Sequence, residues 1–357
     1  MKRILVYVDS LNASGGIERI VFELIKEWSK KYEVHVLVKD DGKCFYGEIS
    51  TERIISINCP RVVNMNSRFQ RIISTFYNSL KSITKIRKQS INNFDYYYVT
   101  TPMNAFELYF SGIEPSKIVV SEHGSAYGVN RIYKVVKRFI YPKVRCISVP
   151  NKMDVEIYKQ FGSNAVYIPH FVYMKNKGIN SLESKIILNC GRLTADKRQI
   201  ELLEMWNQVE NKNGWVLYIV GDGEERRNLI TFIENNKLNQ FVKLIPATKD
   251  IESIYRQASF FAFTSRFEGF GLVLVEAMAY GIPCVSYDCP SGPRDIVNNR
   301  KNGFLITNND REGYINTLKS IVELDEKTIQ ELGHNAYQFI NNWDNDYILS
   351  KWYEVFR

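Results

Sequence analysis

The stretch Thr264-Ser265-Arg266-Phe267-Glu268-Gly269-Phe270-Gly271-Leu272-Val273-Leu274-Val275-Glu276-Ala277 decides how this chain reads. The apolar run 260–263 before it has the length and composition of a short buried strand. After Glu268 two glycines lead into residues 272–280, good helix formers that stop at Gly281-Ile282-Pro283. A strand that feeds a glycine turn and opens a helix leaves the first helical N–H groups without partners. Those donors, with the positive end of the helix dipole, suit phosphate oxygens or sugar hydroxyls. Glu268 falls in the turn, and Glu276 falls further along, inside the helix. Carboxylates only accept hydrogen bonds, through two oxygens each, and so fit vicinal hydroxyls. The bare spacing also suits an ordinary helix with two solvated glutamates.

The words around the glutamates say more than the spacing. Ser-Arg-Phe-Glu-Gly-Phe-Gly at 265–271 and Glu-Ala-Met-Ala-Tyr-Gly-Ile-Pro at 276–283 resemble the E-x7-E motif of retaining nucleotide-sugar glycosyltransferases, family four especially. The resemblance implies an α/β chain of the GT-B fold, with two Rossmann-like domains whose parallel sheets face across a cleft. It places the donor nucleotide in the second domain and the acceptor in the first. It also implies retention of anomeric configuration.

Composition agrees with two domains. The chain has 357 residues, more than one comfortable core, and 45% hydrophobic and 24% charged residues mark a soluble globular protein. No apolar run reaches the length of a membrane-spanning helix. Residues 4–8 are too short for a signal-peptide core and read as a first strand. Six scattered cysteines without a C-x-x-C pair suggest a reducing, cytoplasmic setting and no cysteine metal site. The net charge of +8 is uneven: residues 1–170 hold 25 basic against 15 acidic residues, the rest 22 against 24. Such asymmetry asks for an anionic partner of the first half, either nucleic acid or a membrane surface.

The first half opens strand, glycine loop, helix, strand. Gly15-Gly16 precedes a helical period at Ile17, Ile20, Val21, Leu24, Ile25 and Trp28, and a second strand follows at 34–38. The G-x-G-x-x-G dinucleotide spacing is absent, so Gly15-Gly16 is either turn chemistry or a close approach to ligand. The resemblance favours ligand, making Gly16 part of the loop that reaches over the donor. From 61 to 89, Arg68, Arg71, Lys81, Lys85, Arg87 and Lys88 interleave with Phe69, Ile72, Ile73, Phe76 and Leu80. A second cluster sets Arg131, Lys134, Lys137, Arg138, Lys143 and Arg145 among Tyr133, Val135, Val136, Phe139, Ile140 and Tyr141. Basic amphipathic helices with aromatic edges fit the interface of an anionic bilayer, though long basic stems also cover cores. No helix-turn-helix, zinc-finger or RNP-type signature is present, so nucleic acid falls behind. Glu122-His123-Gly124 ends a strand at 117–121. A lone histidine is more often a packing residue, but the carboxyl edge of a parallel sheet is where ligands bind. His123 also resembles the cleft histidine of this family, which contacts the donor sugar. The passage Tyr167-Ile168-Pro169-His170-Phe171 reads as a linker, and His170 stands where many relatives carry Pro-Asn-Gly.

The second half repeats the alternation. A strand at 186–190 ends in Gly191-Arg192-Leu193-Thr194-Ala195-Asp196-Lys197, which brings Arg192 and Lys197 to a helix mouth and resembles the family's diphosphate clamp. A strand at 215–220 ends in Gly221-Asp222-Gly223, and one at 242–245 places Ile245 beside the base. The expected donor site is therefore Gly16, Gly191, Arg192, Lys197, Gly221, Ile245, Glu268, Gly269, Phe270, Gly271, Leu272 and Glu276. Glu268, His123, Arg192 and Lys197 carry the chemistry. The domains are expected at 1–168 and 169–342, with a C-terminal helix at 343–357 packing back on the first.

The resemblance implies transfer of a hexose or N-acetylhexosamine from a nucleotide sugar, most commonly a UDP-sugar, to a lipid-linked or polysaccharide acceptor. The enzyme would work in the cytoplasm, peripherally on the inner face of the membrane. No Asp-x-Asp motif is evident, so neither metal nor cofactor is expected, and cations must neutralise the leaving diphosphate. Rivals are a sugar-nucleotide epimerase or hydrolase of the same fold, and a catalytically silent sugar-nucleotide-binding membrane protein.

Overall fold

Apolar runs of four to six residues alternate with helical periods, and in the computed structural model they become parallel strands joined by helical crossovers. The structure describes all residues except 14, 61–67, 129–130, 172–173, 175–176, 342 and 344, and only the backbone of Arg68, Phe69, Arg71 and Arg131. The start of the first basic segment at 61–67, and those side chains of the two basic clusters, therefore lie outside the described residues. The chain divides into two units, one of Met1–Phe171 with Ile348–Arg357, the other of Val172–Tyr347.

The first unit runs β1 (Arg3–Val8), α1 (Gly16–Trp28), β2 (Glu33–Val38), β3 (Ile54–Ser56), α2 (Arg68–Ile86), β4 (Tyr96–Val99), α3 (Pro102–Phe110), β5 (Ile118–Ser121), α4 (Arg131–Ile140), β6 (Cys146–Val149), α5 (Lys152–Gln160) and β7 (Ala165–Tyr167). All seven strands are parallel, in the order β3-β2-β1-β4-β5-β6-β7, with Val6 opposite Val36 on one side and Tyr98 on the other. Helices cover both faces, which is why β1 and β4 to β6 read as nearly unbroken apolar runs. The order reverses between β1 and β4, and that reversal opens a crevice at the carboxyl ends of the strands.

The second unit continues with β8 (Ile186–Cys190), α6 (Gln199–Asn207), β9 (Val216–Val220), α7 (Arg226–Asn235), β10 (Val242–Ile245), α8 (Ile251–Tyr255), β11 (Phe260–Phe263), α9 (Leu272–Met278), β12 (Cys284–Asp288), α10 (Pro293–Ile296), β13 (Gly303–Thr307), α11 (Arg311–Glu323) and α12 (Glu326–Asn341). Its six parallel strands lie in the order β10-β9-β8-β11-β12-β13, so the reversal falls between β8 and β11. Each unit has its own apolar core.

The last helix, α13 (Asn345–Val355), seats its end on the first unit. Trp352 and Phe356 meet the buried Trp28 ring edge-on, at centroid distances of 5.2 and 4.9 Å. Arg145 Nε donates to the Val355 carbonyl at 2.8 Å.

Three features differ from the sequence reading. The edge strands β3 and β13 lie outside the strands read from the sequence. A Cβ on Gly303 would sit 2.1 Å from the Cys284 carbonyl oxygen, so this glycine lets β13 close against β12. Lys137 is not part of an exposed basic cluster. It is buried, 2.9 Å from Glu122 Oε1, and donates to the Tyr158 hydroxyl at 2.8 Å, because an unpaired ammonium could not be buried there. Arg145 is likewise spent on α13 rather than on a surface. α2 turns Thr75, Ser79 and Ser82 inward and leaves Ile73, Phe76, Tyr77 and Leu80 exposed.

Trp352→Ala should lower the stability of the first unit by about 3–5 kcal/mol, as for other large aromatic truncations in a core. Urea unfolding followed by tryptophan fluorescence would measure it. A loss near zero would mean that the α13 contacts contribute nothing.

Candidate active site

The second unit's crevice begins where the ladder between β8 and β11 ends. These strands pair only at Phe260 with Ile187 and at Phe261 with Leu188. Beyond that point the Asn189 side-chain amide takes over, donating to the Ala262 carbonyl at 2.9 Å. The two loops that follow the strands are then tied to each other. Arg266 N donates to the Asp196 carbonyl at 2.8 Å, and the Thr264 hydroxyl donates to the Lys197 carbonyl at 3.0 Å. Arg198 completes the turn in the left-handed region at φ 55°, where α6 begins.

Inside this frame Lys197 Nζ and Glu268 Oε1 form an ion pair with a direct hydrogen bond. Both groups are only partly exposed, so their attraction is screened less than that of a surface pair. Arg192 is exposed on the same loop, and its carbonyl accepts from Gln199 Nε2 at 3.0 Å. Gly271 caps α9 at φ 92°, a conformation that turns the chain sharply from Glu268 into the helix. Glu276 sits within α9, nearly buried, and accepts from the Tyr255 hydroxyl at 3.1 Å. The loop after β12 forms one wall: Glu268 N donates to the Pro290 carbonyl, and a Cβ on Gly292 would lie 2.2 Å from the Phe270 carbonyl oxygen. Beside it, burial pushes the Cys289 thiol up to about 12, so it stays protonated.

Several expected residues have structural work of their own. The Phe270 ring is buried against Trp343, at 5.6 Å between centroids, so only its backbone can face a ligand. A Cβ on Gly221 would fall 1.9 Å from the Gly191 carbonyl oxygen, which accounts for that glycine by the packing of two loops. Gly221 N in turn donates to the Ile245 carbonyl at 3.0 Å. Gly269 and Leu272 flank the α9 turn, and Gly16 opens α1 in the first unit.

His123 follows β5 in the first unit. Among the described residues neither ring nitrogen has a hydrogen-bond partner, and burial lowers its pKa to about 4. It is therefore neutral at pH 7, able to donate through one nitrogen and accept through the other. His170 stacks on it at 5.0 Å with the planes 20° apart, and burial holds it well below the usual histidine range as well. The sequence offered His170 only as a departure from a common wording. Its partnership with His123 spans 47 positions of chain and carries no local signal.

Two family models between them match residues 14–339: "Glycosyltransferase Family 4" over 14–175 and "Glycosyl transferases group 1" over 174–339. The chain belongs to this glycosyltransferase family. It is similar to the amylovoran biosynthesis glycosyltransferase AmsD of Erwinia amylovora, 24% identical over 99% of each chain. It is also similar to a Campylobacter jejuni N-acetylgalactosamine-N,N'-diacetylbacillosaminyl-diphospho-undecaprenol 4-alpha-N-acetylgalactosaminyltransferase, at 26% identity over 91% of this chain and 92% of that one. Among solved structures, Anabaena HepE in complex with UDP-glucose superposes with a TM-score of 0.77, at 19% identity over 99% of this chain and 100% of that one. The fold is GT-B, and the chain is a glycosyltransferase by family.

The histidine pair generates a stability prediction. A histidine whose folded pKa is depressed stabilises the fold above its unfolded value of about 6.5, and that contribution is lost as pH falls toward the folded value. His123→Phe should therefore lose less stability than the wild type between pH 7 and pH 5 in urea titrations. Equal losses would mean that His123 has the same pKa in the folded and unfolded states.

Proposed function

We propose that this glycosyltransferase moves a hexose or N-acetylhexosamine from a UDP-sugar, with retention, to a lipid-linked or polysaccharide acceptor at an anionic membrane surface. What supports the reading is the crevice between β8 and β11, where Arg192 and Lys197 lie on the loop after β8, Lys197 pairs with Glu268, and Glu276 lies within α9. The HepE structure, which holds UDP-glucose on the same fold, supports the choice of nucleotide, and the AmsD and Campylobacter relatives support the choice of acceptor.

In this reading Arg192, Lys197 and the amides of residues 270–272 receive the diphosphate. Glu276 accepts from the ribose hydroxyls and Glu268 from the sugar hydroxyls. Lys197, bonded to Glu268, links the leaving group to the reacting sugar. The acceptor oxygen bonds to the anomeric carbon on the face from which the phosphate oxygen departs. The departing phosphate takes the acceptor's proton, so no side chain need serve as base. Glu268 steadies the positive charge that develops on the sugar. No metal is needed in this scheme, because fixed cations and amides neutralise the diphosphate.

The membrane part of the reading rests on the first unit. Ile73, Phe76, Tyr77 and Leu80 are exposed at a helical i, i+3, i+4, i+7 spacing on α2, with Lys81 and Lys88 beside them. α3 packs between α2 and α4 and adds Phe110, stacked on Phe139 of α4. Val135, Lys134, Arg138 and Lys143 are exposed on or just beyond α4. An apolar stripe with a basic rim favours an anionic bilayer over nucleic acid, which would not reward exposed aliphatic side chains. Among the described residues no helix is long and apolar enough to cross a membrane, so contact is peripheral in this reading.

Incubation with radiolabelled nucleotide sugars, with and without lipid-linked acceptors, tests the reaction. Transfer only in the presence of acceptor is expected, whereas isomerised or hydrolysed donor without acceptor would favour an epimerase or hydrolase. Arg192→Ala should slow transfer by about a hundredfold or more, as for loss of one transition-state donor. Glu276→Ala should act mainly on donor KM, and unchanged rates in both variants would remove this site. Leu80→Glu with Val135→Glu should abolish sedimentation with phosphatidylglycerol vesicles while sparing transfer to a detergent-soluble acceptor. Sedimentation at the wild-type level would rule out this face.

A further inference from the structure

Glu276 is backed by a tyrosine that no motif singles out. Tyr255, the last residue of α8, is fully buried, and its ring stacks on Tyr280 at 5.8 Å with the planes 12° apart and on Phe261 at 6.2 Å with the planes 30° apart. Its hydroxyl lies 3.1 Å from Glu276 Oε2 and 3.0 Å from Cys190 Sγ. A phenol has one proton to donate, and an ionised carboxylate can only accept. The proton therefore points at Glu276, and the Cys190 thiol donates to the phenol oxygen. Both groups keep their protons, since burial raises the phenol well above its usual range and pushes the thiol up to about 12.

The three groups come from the end of β8, the end of α8 and the middle of α9. Cys190 immediately precedes Gly191-Arg192, so the chain of hydrogen bonds runs from the root of the cationic loop to the carboxylate in α9. Packing alone does not call for the hydroxyl. A phenylalanine would stack on Phe261 and Tyr280 equally well, and burying a phenol is costly unless its oxygen is bonded. The hydroxyl is explained by what it does to Glu276. A long carboxylate side chain has rotamer freedom that must be lost on gripping a ligand, and a buried donor on one oxygen removes much of it beforehand.

We infer that Tyr255, supported by Cys190, is a positioning residue that holds Glu276 oriented for a ribose cis-diol and so makes the site select ribonucleotides over deoxyribonucleotides. The inference rests on the assignment of Glu276 to ribose made above.

The test compares binding of UDP and 2′,3′-dideoxy-UDP to the full-length enzyme by calorimetry, for wild type, Tyr255→Phe, Cys190→Ala, Cys190→Ser and Glu276→Gln. The wild type should prefer UDP, and Tyr255→Phe should reduce that preference about tenfold, the scale of one hydrogen bond to a charged group. Cys190→Ala should reduce it less, and Cys190→Ser, which restores a donor, should recover it. Transfer assays should show Tyr255→Phe raising donor KM more than it lowers kcat. An unchanged preference in Glu276→Gln would remove the ribose assignment and the inference with it. A lost preference in Glu276→Gln beside an unchanged one in Tyr255→Phe would overturn the inference alone. Because Phe keeps the stacked ring, a folded Tyr255→Phe protein is expected, and its thermal unfolding is checked beside each titration. Should it fail to fold, the Cys190→Ala and Cys190→Ser pair decides: equal preferences in the two would overturn the inference.

Discussion

Two backbone carbonyls, those of Asp196 and Lys197, hold the second unit's crevice in shape. Arg266 N and the Thr264 hydroxyl donate to them, so the loop after β8 cannot move without the loop after β11. Sheet pairing cannot do this job, because the ladder between these strands has already ended. At a reversal of strand order the crossover helices leave in opposite directions, and the gap they leave at the carboxyl edge must be closed by loops. Everything proposed for the site depends on that closure. It sets Lys197 against Glu268 and turns the chain through Gly271 into α9.

The charges of the site are held with different firmness. Lys197 and Glu268 keep partial exposure and each other's company, and Arg192 is open to solvent. Glu276 is nearly buried and bonded to Tyr255. A leaving diphosphate arrives with its own charge and favours cations that can adjust to it. A diol brings no charge, and its recognition depends on acceptor atoms already in place. Under the proposed assignment, the division between adaptable cations and a fixed carboxylate matches the chemistry of the two halves of a nucleotide sugar.

The first unit uses buried ionisable groups to another end. Lys39 reaches Asp9 at 2.8 Å and Glu107 at 2.9 Å beneath the carboxyl ends of β1 and β2, and Lys137 pairs with Glu122 after β5. Burial raises the pKa of both glutamates, with the lysines opposing it. Breaking such a pair by removing one partner costs far more than the intact pair contributes, because it leaves a charge buried without compensation. They also take Lys39 and Lys137 out of the exposed basic surface of this unit.

The sequence by itself determined the alternation of strands and helices, the parallel sheets that follow from it, and the glycosyltransferase words around Glu268 and Glu276. Those are properties of neighbouring residues, since hydrophobic period, turn glycines and helix stops are all read within a window of a dozen positions. Tertiary structure alone decided which cations face solvent, that α2 presents its aliphatic stripe outward, that His170 lies on His123, and that Tyr255 and Cys190 stand behind Glu276. Each of these joins positions far apart in the chain. A side chain's partner across a fold is set by how the sheets are wound and where the loops close, and no local pattern carries that information.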